Sequence, residues 1–354
     1  MFLFEKKRIL ITGGTGSLGK ILVKRLLSGE QGCPAKIIIF SRDEAKQHDM
    51  RLHYQHMKNM TDEVTYNNFK QLVEFRIGDI RNYHSICSAL KNVDIVINAA
   101  ALKQVPSCEY FPYEAVQTNV IGAENIVTAL RENDFDVKTV VGVSTDKACK
   151  PVNVMGMTKS LQERIFVAAN ISVPKVRFVL VRYGNVLASR GSVIPMFHEQ
   201  IKNNLPLTVT TEDMTRFLLP LNHAVDTVFA AIESGQAGET YIPKVKSSSM
   251  INVAKALIEE RPLKVKITGI RPGEKIHEIL ISEEEAWHTV ERGDYYVIKP
   301  ILPELIKNPS EKIIDNPNEY SSATKPMTLD ETTKMLKQNH LLYGDEIGEG
   351  ELLR

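Results

Sequence analysis

The fold is decided by the sequence RILITGGTGSLG at residues 8–19. A short apolar, β-branched run at 8–12 breaks into glycines at 13, 16 and 19 and continues to Leu27 with apolar residues at helical spacing, which predicts a strand, a tight turn and a helix. Glycine permits the turn and a close approach of backbone to a pyrophosphate, while the helix N-terminus faces the phosphates. We therefore predict a dinucleotide site with contacts from Gly13, Thr15, Gly16, Ser17, Leu18 and Gly19.

Five further apolar runs follow along the chain, separated by segments with helical spacing. Continuous apolar runs are typical of parallel strands that are buried on both faces. Their alternation with helices predicts an α/β fold, a doubly wound parallel sheet of the NAD(P)-binding Rossmann type. The predicted strands lie at 36–40, 73–77, 94–98, 138–143 and 177–182.

The composition changes after Arg182, where turn-forming residues and prolines separate short elements. Such a change is typical of a domain boundary. A helical pattern at 221–233 suggests that the chain returns to the first domain. We therefore predict a Rossmann domain with a smaller, interleaved C-terminal substrate domain, followed by a tail that is solvated or contacts a partner. The predicted boundaries are 1–182 and 217–242 for the Rossmann domain, 183–216 and 243–330 for the substrate domain, and 331–354 for the tail.

The composition argues against several classes of protein. The 354 residues carry 44 Lys and Arg against 43 Asp and Glu, a net charge of +1, so we expect no nucleic-acid partner. No apolar stretch is long enough for a membrane span and the N-terminus lacks the apolar region of a secretory signal, so we expect a cytoplasmic protein without membrane contact. The four cysteines lack the spacing of a zinc site, and His223 and His277 have no ligand partner at useful spacing, so we predict no metal.

The end of the second predicted strand distinguishes NADP from NAD, because an acidic residue there binds a free ribose hydroxyl and repels a 2′-phosphate. Here the strand ends in Ser41 and Arg42, with Lys46 one helical turn further on. A hydroxyl and two cations suit a phosphate, so the sequence favours NADP. The alternative is that Asp43 binds the ribose of NAD and that Arg42 is a solvated surface charge.

Two loops and a later motif carry further predicted cofactor contacts. The loop after the third predicted strand offers a carboxylate for the adenine, and the loop after the fourth offers small residues where backbone must approach the cofactor. An alanine run of this kind also occurs in ordinary packing. The residues are Asp79, Ile80, Ala99, Ala100, Ala101, Lys103 and Asn119.

Motifs along nearly the whole chain give it a specific resemblance. They are GGTGSLG (13–19), FSRDE (40–44), GDIR (78–81), AAALKQVPSCE (99–109), TNVIG (118–122), STDKA (144–148), MGMTK (155–159), RYGNVLASRGSVIP (182–195), TRF (215–217) and RPGEK (271–275). The chain resembles the extended short-chain dehydrogenases/reductases, and within them the soluble UDP-N-acetylglucosamine 4,6-dehydratases of bacterial surface-sugar pathways. The resemblance implies NADP, the UDP-sugar UDP-N-acetylglucosamine as substrate, and a homo-oligomer, for which it suggests a hexamer although the sequence does not fix the number.

In the reaction that the resemblance implies, a hydride leaves sugar C4 for NADP, a base removes the C5 proton and an acid protonates the departing C6 hydroxyl. The hydride then returns to C6. Asp146 and Lys147 follow the fifth predicted strand at the edge where such ligands bind, and we predict Asp146 as the acid and Lys147 as the base. Lys147 then needs a pKa well below its ordinary value, which burial or a nearby cation such as Lys159 would supply. Outside the family pattern, the two residues would be read as surface charges at a strand end.

One residue departs from the family pattern. The tyrosine expected four residues before Lys159 is replaced by Met155, and a thioether cannot take a proton from a sugar hydroxyl. Lys159 is predicted to hold the nicotinamide ribose and to help ionise the C4 hydroxyl, with Thr145 as a second candidate for that contact. Met155 is also compatible with a methionine that faces the core.

The later motifs supply the predicted substrate contacts. Cations and amide donors suit a diphosphate and a uracil ring, and a carboxylate suits a ribose hydroxyl. Each residue in isolation would be read as solvated, but their place in family motifs favours a nucleotide-diphosphate site. The residues are Lys103, Asn185, Arg190, Ser192, Val193, Arg216, Arg271 and Glu274.

The sequence leaves three classes of function open. The favoured class is a dehydratase, a lyase whose product has C5 inverted, C5 retained or, if the hydride returns to C4, a 5,6-ene; Lys147 favours inversion. The second class is a nucleotide-sugar 4-epimerase, against which the Asp146–Lys147 pair and Met155 both count. The third is a protein that binds NADP without turnover, to which Met155 also points.

Overall fold

The apolar runs of the sequence form the strands of the structure. The computed structural model describes residues 2–56, 63–187, 192–307, 311–315 and 318–345. Every predicted strand is present close to its predicted bounds. The strands are β1 (Arg8–Thr12), β2 (Lys36–Ser41), β3 (Val73–Ile77), β4 (Ile95–Asn98), β5 (Thr139–Thr145), β6 (Arg177–Tyr183), β7 (Asn185–Val186), β8 (Leu207–Val209), β9 (Thr215–Leu219), β10 (Thr240–Pro243), β11 (Ser247–Ser249), β12 (Val265–Ile267), β13 (Ile279–Ile281), β14 (Thr289–Arg292), β15 (Tyr295–Ile298), β16 (Tyr320–Ser321) and β17 (Pro326–Met327).

Helices occupy much of the chain between the strands. They are α1 (Ser17–Ser28), α2 (Glu44–His56), α3 (Glu63–Leu72), α4 (Tyr83–Ala89), α5 (Val105–Tyr110), α6 (Pro112–Ala115), α7 (Gly122–Glu132), α8 (Val154–Ser172), α9 (Val193–Lys202), α10 (Leu221–Ser234), α11 (Met250–Ile258), α12 (Glu283–Ala286) and α13 (Leu329–Gln338). A π-helical turn precedes α7, and one turn of 3-10 helix, Asp146–Ala148, follows β5. Within the described ranges, no helix combines the length and apolar character needed to cross a membrane.

The large sheet has the order β14-β15-β10-β6-β5-β4-β1-β2-β3. All neighbouring strands from β10 to β3 pair in parallel, whereas β15 and β14 add an antiparallel hairpin at one edge. The chain runs outward from β1 in both directions, so the sheet is doubly wound. The predicted α/β Rossmann fold is confirmed.

Both faces of the large sheet are covered, because alternate residues of each strand point to opposite sides. On one face, Ile9 and Ile11 of β1 pack with apolar residues of α1 and α10. On the other face, Leu10 packs with residues of α7 and α8, including Ile126 and Phe166. This double burial explains why the strands read as unbroken apolar runs.

A second unit lies beyond β6 and contains a smaller sheet of order β17-β11-β9-β7. Its core joins α9, α11 and α13. The boundaries differ from those predicted in two places. The hairpin at 289–298, expected in the substrate domain, completes the edge of the large sheet, and β9, whose residues 217–219 were expected in the Rossmann domain, pairs within the small sheet. Both differences arise because strand pairing joins segments that are distant in sequence.

The segment predicted as a C-terminal tail is part of the second unit. Leu336 on α13 is fully buried and Leu341 is 2% exposed, and both belong to the apolar core that includes α11. The prediction of a solvated tail is wrong for these residues because their leucines bury against the second unit. The acidic stretch at 346–351 lies outside the described residues.

We expect Leu336→Ala to lower the free energy of unfolding by about 3 kcal/mol, since it removes a fully buried side chain and leaves a cavity. Leu329→Ala, at the start of the same helix, removes a side chain that is 40% exposed and should cost less than about 1 kcal/mol. Urea unfolding of the full chain measures both values. Equal, small effects would show that α13 does not belong to the core.

Candidate active site

The glycine-rich turn between β1 and α1 lies where several strands end. Gly13 has a left-handed backbone with φ of +67°, which glycine adopts without strain. A Cβ atom there would lie 2.8 Å from Ala100 Cα and 3.0 Å from the carbonyl carbon of Ala99. Gly13 N also donates to Phe40 O at the end of β2, at 2.8 Å. The turn, β2 and the segment after β4 thus form a narrow backbone cradle at the carboxyl edge of the sheet.

Helix α1 starts directly after this turn. Its N-cap is Gly16, which provides no side-chain hydrogen bond to the helix end. A Cβ at Gly19 would lie 2.5 Å from Gly14 Cα, so glycine is needed where the helix meets the turn. Ser17 and Leu18 belong to the first helical turn, whose N–H groups attract anions. These features fit the pyrophosphate of a dinucleotide.

The segment after β4 is fixed to β1 by a buried threonine. Thr12 Oγ1 donates to Asn98 Oδ1 at 2.6 Å and accepts from Ala100 N at 3.2 Å. Ala99, Ala100 and Ala101 are half-buried, and Ala100 faces the cradle through its backbone. Larger side chains would fill the space between this segment and the glycine turn.

The Asn119 side chain also holds the segment after β4. Its Oδ1 accepts from Leu102 N at 2.8 Å, and its Nδ2 donates to Leu102 O and to Thr158 Oγ1, both at 3.0 Å. Asn119 thus joins the loop after β4 to α8, and its contact with the cofactor stays a prediction. A buried amide needs such protein partners, and these use both of its polar atoms.

The end of β2 carries the side chains that distinguish the cofactors. Ser41 is buried and accepts from Thr15 Oγ1 at 3.3 Å. Arg42 is 57% exposed. The Lys46 ammonium forms an ion pair with the Asp43 carboxylate. The structure thus exposes Arg42 for an anionic ligand, while Lys46 and Asp43 neutralise each other.

Asp79 and Ile80, both predicted cofactor contacts, differ in their surroundings. Partial burial acts to raise the pKa of Asp79, but the hydrogen bonds and charge of Arg81 outweigh it and the pKa lies below its usual value. Arg42 Nη1 lies 3.9 Å from the same carboxylate. The side chain of Ile80 is buried against Gly122. The Ile80 side chain belongs to the core, and its contact with the cofactor stays a prediction.

The strand β5 ends in the predicted elimination pair. Thr145 Oγ1 donates to Asp146 Oδ1 at 2.9 Å, and the Asp146 side chain is fully buried. Lys147 Nζ lies 3.1 Å from Asp146 Oδ1 and 3.0 Å from Glu278 Oε1. It also donates to Asn185 Oδ1 at 3.3 Å. The structure thus brings together Thr145, Asp146, Lys147 and Asn185, and adds a buried glutamate.

Each of these carboxylates retains capacity for a further hydrogen bond. Asp146 Oδ2 and Glu278 Oε2 are buried without a hydrogen-bond partner in the described part of the chain. A Cβ at Gly184 would lie 3.1 Å from Asp146 Oδ2, so a glycine there leaves room beside that oxygen. A Cβ at Gly156 would collide with Lys147 O, and glycine therefore lets α8 approach the turn. An unsatisfied buried oxygen is costly, which suits a site that a substrate hydroxyl completes.

The predicted lowering of the Lys147 pKa is wrong. Burial acts to lower the pKa, but the charges of Asp146 and Glu278 outweigh it and raise the pKa above its usual value. The sequence could place Asp146 next to Lys147, but the second carboxylate comes from the other unit of the fold. Lys147 is therefore a protonated ammonium at neutral pH.

The lowered pKa belongs to Lys159. Its Nζ donates to Val143 O at 2.5 Å and to Gln162 Oε1 at 2.7 Å. Burial lowers the pKa of Lys159 to about 8, although the charge of Glu163 partly opposes it. Lys159 thus loses its proton more readily than Lys147, but it is held between β5 and α8 rather than in the contacts of Lys147.

Met155 faces the core. It is 5% exposed and packs in a small apolar cluster with Cys108 and Ala115. A thioether is well suited to such a gap. The side chain at the position of the usual tyrosine thus contributes packing.

Arg216 was predicted to contact the substrate, and in the structure its guanidinium binds carbonyl oxygens of the protein. Its Nη1 donates to Thr215 O at 2.7 Å and to Ile276 O at 2.9 Å, and its Nη2 donates to Lys275 O at 2.9 Å. Its Nε lies 3.9 Å from Glu278 Oε1. The Arg216 residue is 6% exposed, and its guanidinium fixes the segment 275–278 instead of reaching into solvent.

The loop that follows β12 holds two more predicted substrate residues. Glu274 Oε2 accepts from Thr210 Oγ1 and from Arg271 N, both at 3.3 Å. The Arg271 residue is exposed. A cleft of about 810 Å³ opens beside Glu274 and is also lined by Lys150 and Lys275. Both predicted residues therefore lie on an accessible surface.

The remaining predicted substrate residues are scattered. Ser192 Oγ is buried and has no hydrogen-bond partner among the described residues. Val193 is half-buried against the core of the second unit, and Lys103 is exposed after β4. Arg190 lies outside the described residues.

A buried arginine ties the two units together next to this site. Arg182 on β6 donates to Glu163 Oε2 at 2.6 Å, to Glu285 Oε2 at 2.7 Å and to Leu280 O at 2.9 Å. Burial acts to raise the pKa of Glu285, but the charge and hydrogen bonds of Arg182 lower it to about 2. These contacts of Arg182 fix β13, and with it Glu278, against the large sheet.

Sequence reasoning missed Glu278 and the contacts of Arg182 that hold it in place. Glu278 follows the RPGEK motif by three residues and precedes the apolar strand β13. A glutamate beside a buried strand is the signal that could have drawn attention to it, since a buried carboxylate is normally paired. Its partner could not be read from the sequence, because Lys147 lies on the other unit.

The doubly wound sheet and the glycine cradle define the class: an extended short-chain dehydrogenase/reductase. The chain belongs to the polysaccharide biosynthesis protein family, which matches residues 9–300. A Rickettsia bellii protein named UDP-glucose 4-epimerase is 46% identical over 301 residues, 84% of either chain. A Campylobacter jejuni protein named UDP-N-acetylglucosamine 4,6-dehydratase (inverting) is 42% identical over 322 residues, 90% of this chain and 88% of that protein.

Among solved structures, the X-ray structure of Pen from Bacillus thuringiensis superposes with a TM-score of 0.84 at 34% identity. The superposition covers 96% of this chain and 99% of Pen. Together with the Campylobacter jejuni relative, this confirms the resemblance that the motifs indicated.

We expect Gly13→Ala to weaken dinucleotide binding by roughly tenfold or more, because its Cβ would press on the backbone of Ala100 and narrow the cradle. Gly29→Ala is the matched control: it has a similar φ of +73° but nothing within 4 Å of the added Cβ. Both variants carry the left-handed strain, and calorimetric titration with dinucleotide separates them. Equal affinities in the two variants would contradict the cradle.

Proposed function

We propose that the protein is a UDP-N-acetylglucosamine 4,6-dehydratase that uses NADP in nucleotide-sugar synthesis for surface polysaccharide or pseudaminic acid. The observation that carries the proposal is the ion pair between the buried Asp146 and the half-buried Lys147 at the carboxyl end of β5. Elimination across C5 and C6 needs a base for the C5 proton and an acid for the departing C6 hydroxyl, whereas inversion at C4 needs no elimination acid. The Campylobacter jejuni relative supports the same choice.

The dinucleotide would be held by the glycine turn, the first turn of α1 and the segment after β4. The space that a Cβ at Gly13 would fill supports this fit. When bound, the nicotinamide accepts a hydride from sugar C4 and returns it, in this proposal to C6. Arg42 at the end of β2 supports NADP over NAD, since an exposed guanidinium binds a 2′-phosphate.

Asp146 and Lys147 move the protons of the elimination. In the resting site Lys147 is an ammonium and Asp146 a carboxylate, 3.1 Å apart. Transfer of one proton from Lys147 Nζ to Asp146 Oδ1 gives an amine and a carboxylic acid, and exclusion of water favours this neutral pair. The amine then takes the C5 proton and the acid protonates the departing C6 hydroxyl as water, which restores the ion pair.

Lys159 is the group we assign to the C4 hydroxyl, directly or through a water molecule, in place of the tyrosine. Its pKa of about 8 gives an appreciable amine fraction at neutral pH. Met155, packed against Cys108 and Ala115, cannot take this proton. Thr145 is the second candidate for the same hydroxyl, because its Oγ1 lies beside Asp146.

A 4-epimerase is the second candidate function, because the Rickettsia bellii relative that bears that name is 46% identical over 84% of the chain. Epimerisation would use the same dinucleotide site. It assigns no proton transfer to Lys147, so the buried pair would then be structural.

Proton NMR of the purified full chain with UDP-N-acetylglucosamine in D₂O decides between these functions. We expect a new C6 methyl signal, with deuterium at C5 because the base exchanges its proton with solvent, and ring couplings that report inversion at C5. A vinylic methylene signal would mean that the hydride returned to C4. Unchanged substrate under conditions where NADP binds, or inversion at C4 without a methyl signal when UDP-glucose is offered, would overturn the dehydratase.

The same NMR experiment with the variant Asp146→Asn tests the role of the Asp146–Lys147 pair. The amide cannot donate the acid proton, so dehydration should fall by roughly a hundredfold or more, while dinucleotide binding is retained. Asp134→Asn, at a fully exposed carboxylate, should dehydrate at the wild-type rate. Full activity of Asp146→Asn would remove Asp146 from the chemistry.

Arg42→Ala tests the choice of cofactor. We expect it to weaken NADP binding by roughly tenfold, because it removes a charge-assisted contact to the 2′-phosphate, and to leave NAD binding unchanged. Lys46→Ala should have a smaller effect, since Asp43 already neutralises Lys46. Calorimetric titration with both dinucleotides measures this, and an equal loss of NAD and NADP would contradict the role of Arg42.

A further inference from the structure

Lys147 receives its second carboxylate from the other unit of the fold. Glu278 directly precedes β13, is 1% exposed, and places Oε1 at 3.0 Å from Lys147 Nζ. Its second oxygen is buried without a hydrogen-bond partner in the described ranges. A carboxylate so deeply buried is costly unless it serves a paired charge. In those ranges its carboxylate forms ion pairs with the cations Lys147 and Arg216.

We propose that Glu278 is a positioning residue that fixes both the place and the charge of Lys147, and so sets the proton balance of the Asp146–Lys147 pair. The proposal deepens the dehydratase function and rests on it for its catalytic consequence. The effect on Lys147 itself does not depend on the substrate.

The backbone around Glu278 is held on both sides. Glu278 N donates to Ser322 Oγ at 2.9 Å. Arg216 binds the carbonyl oxygen of Ile276, two residues before Glu278, at 2.9 Å, and Arg182 binds that of Leu280, two residues after it, at 2.9 Å. These contacts tie Glu278 to both units, so its carboxylate meets Lys147 in one geometry.

The charges that face Lys147 come from three segments. Asp146 lies on the same turn as Lys147, Arg216 lies on β9, and Lys275 and Glu278 lie on the segment that precedes β13. The two carboxylates outweigh burial and the cations and keep the pKa of Lys147 above its usual value. The Glu278 charge therefore opposes transfer of the Lys147 proton to Asp146, the step that produces the amine for C5.

Glu278→Gln removes the charge and keeps the shape and an acceptor oxygen. We expect the alkaline limb of the pH profile of kcat for dehydration to move to lower pH by about one to three units, because Lys147 then loses to solvent more easily the proton that the pair needs for the elimination. Glu278→Asp keeps the charge at a shorter reach and should move the limb less. Glu283→Gln, at a carboxylate that is 71% exposed, should leave the profile unchanged.

A second measurement works without any substrate. NMR of the full chain, with lysine labelled at Cε and the Lys147 signal assigned through Lys147→Met, follows the protonation of this residue. In the wild type, Lys147 should stay protonated up to about pH 10, and in Glu278→Gln it should titrate below that pH. Circular dichroism on each variant verifies that it is folded.

The two readouts separate the two proposals. If the wild type dehydrates no sugar nucleotide, the proposed function fails, and the lysine titration still decides the role of Glu278. An unchanged Lys147 titration in folded Glu278→Gln, or a loss of rate with an unmoved pH profile, would overturn the inference. A titration shift in Glu278→Gln but not in Glu283→Gln would support it.

Discussion

Gly13 lies so close to the backbone of Ala100 that no side-chain carbon fits between them. This approach fixes where β1, β2 and the segment after β4 end relative to one another, and the rest of the site is built on it. Thr12 on β1 and the side chain of Asn119 hold the same segment in place, because they accept hydrogen bonds from its backbone. Because β5 is the next strand along this edge, the cradle and the Asp146–Lys147 pair share one rim of the sheet.

Elements formed by local sequence were predictable, and contacts between distant segments were not. The apolar runs and the glycine spacing determine the parallel strands and the first helix through rules that act over a few residues. The charge state of Lys147 depends on Glu278, which the second unit supplies, so the prediction placed the lowered pKa on the wrong lysine. The hairpin at 289–298 and the helix α13 were misassigned for the same reason, since pairing partners and buried leucines are known only from the fold.

The residue at the position of the usual tyrosine is Met155, whose thioether has no ionisable proton. The position itself contributes packing through Met155, and the amine at Lys159 is buried enough to lose its proton near neutral pH. The pKa of Lys147 is shifted in the opposite direction, because carboxylates on both sides of Lys147 preserve its charge. One site thus contains two lysines whose environments drive their pKa values apart, the arrangement that separate proton-transfer tasks require.

The closing of the large sheet by late segments has a consequence for synthesis on the ribosome. The strand β10, which pairs with β6, and the hairpin β14–β15, which pairs with β10, are the last parts of that sheet to be translated. Until they emerge, the edge of β6 presents unpaired backbone groups that another chain can bind. The nascent protein therefore carries an open sheet edge, first at β6 and then at β10, until the hairpin β14–β15 has been translated.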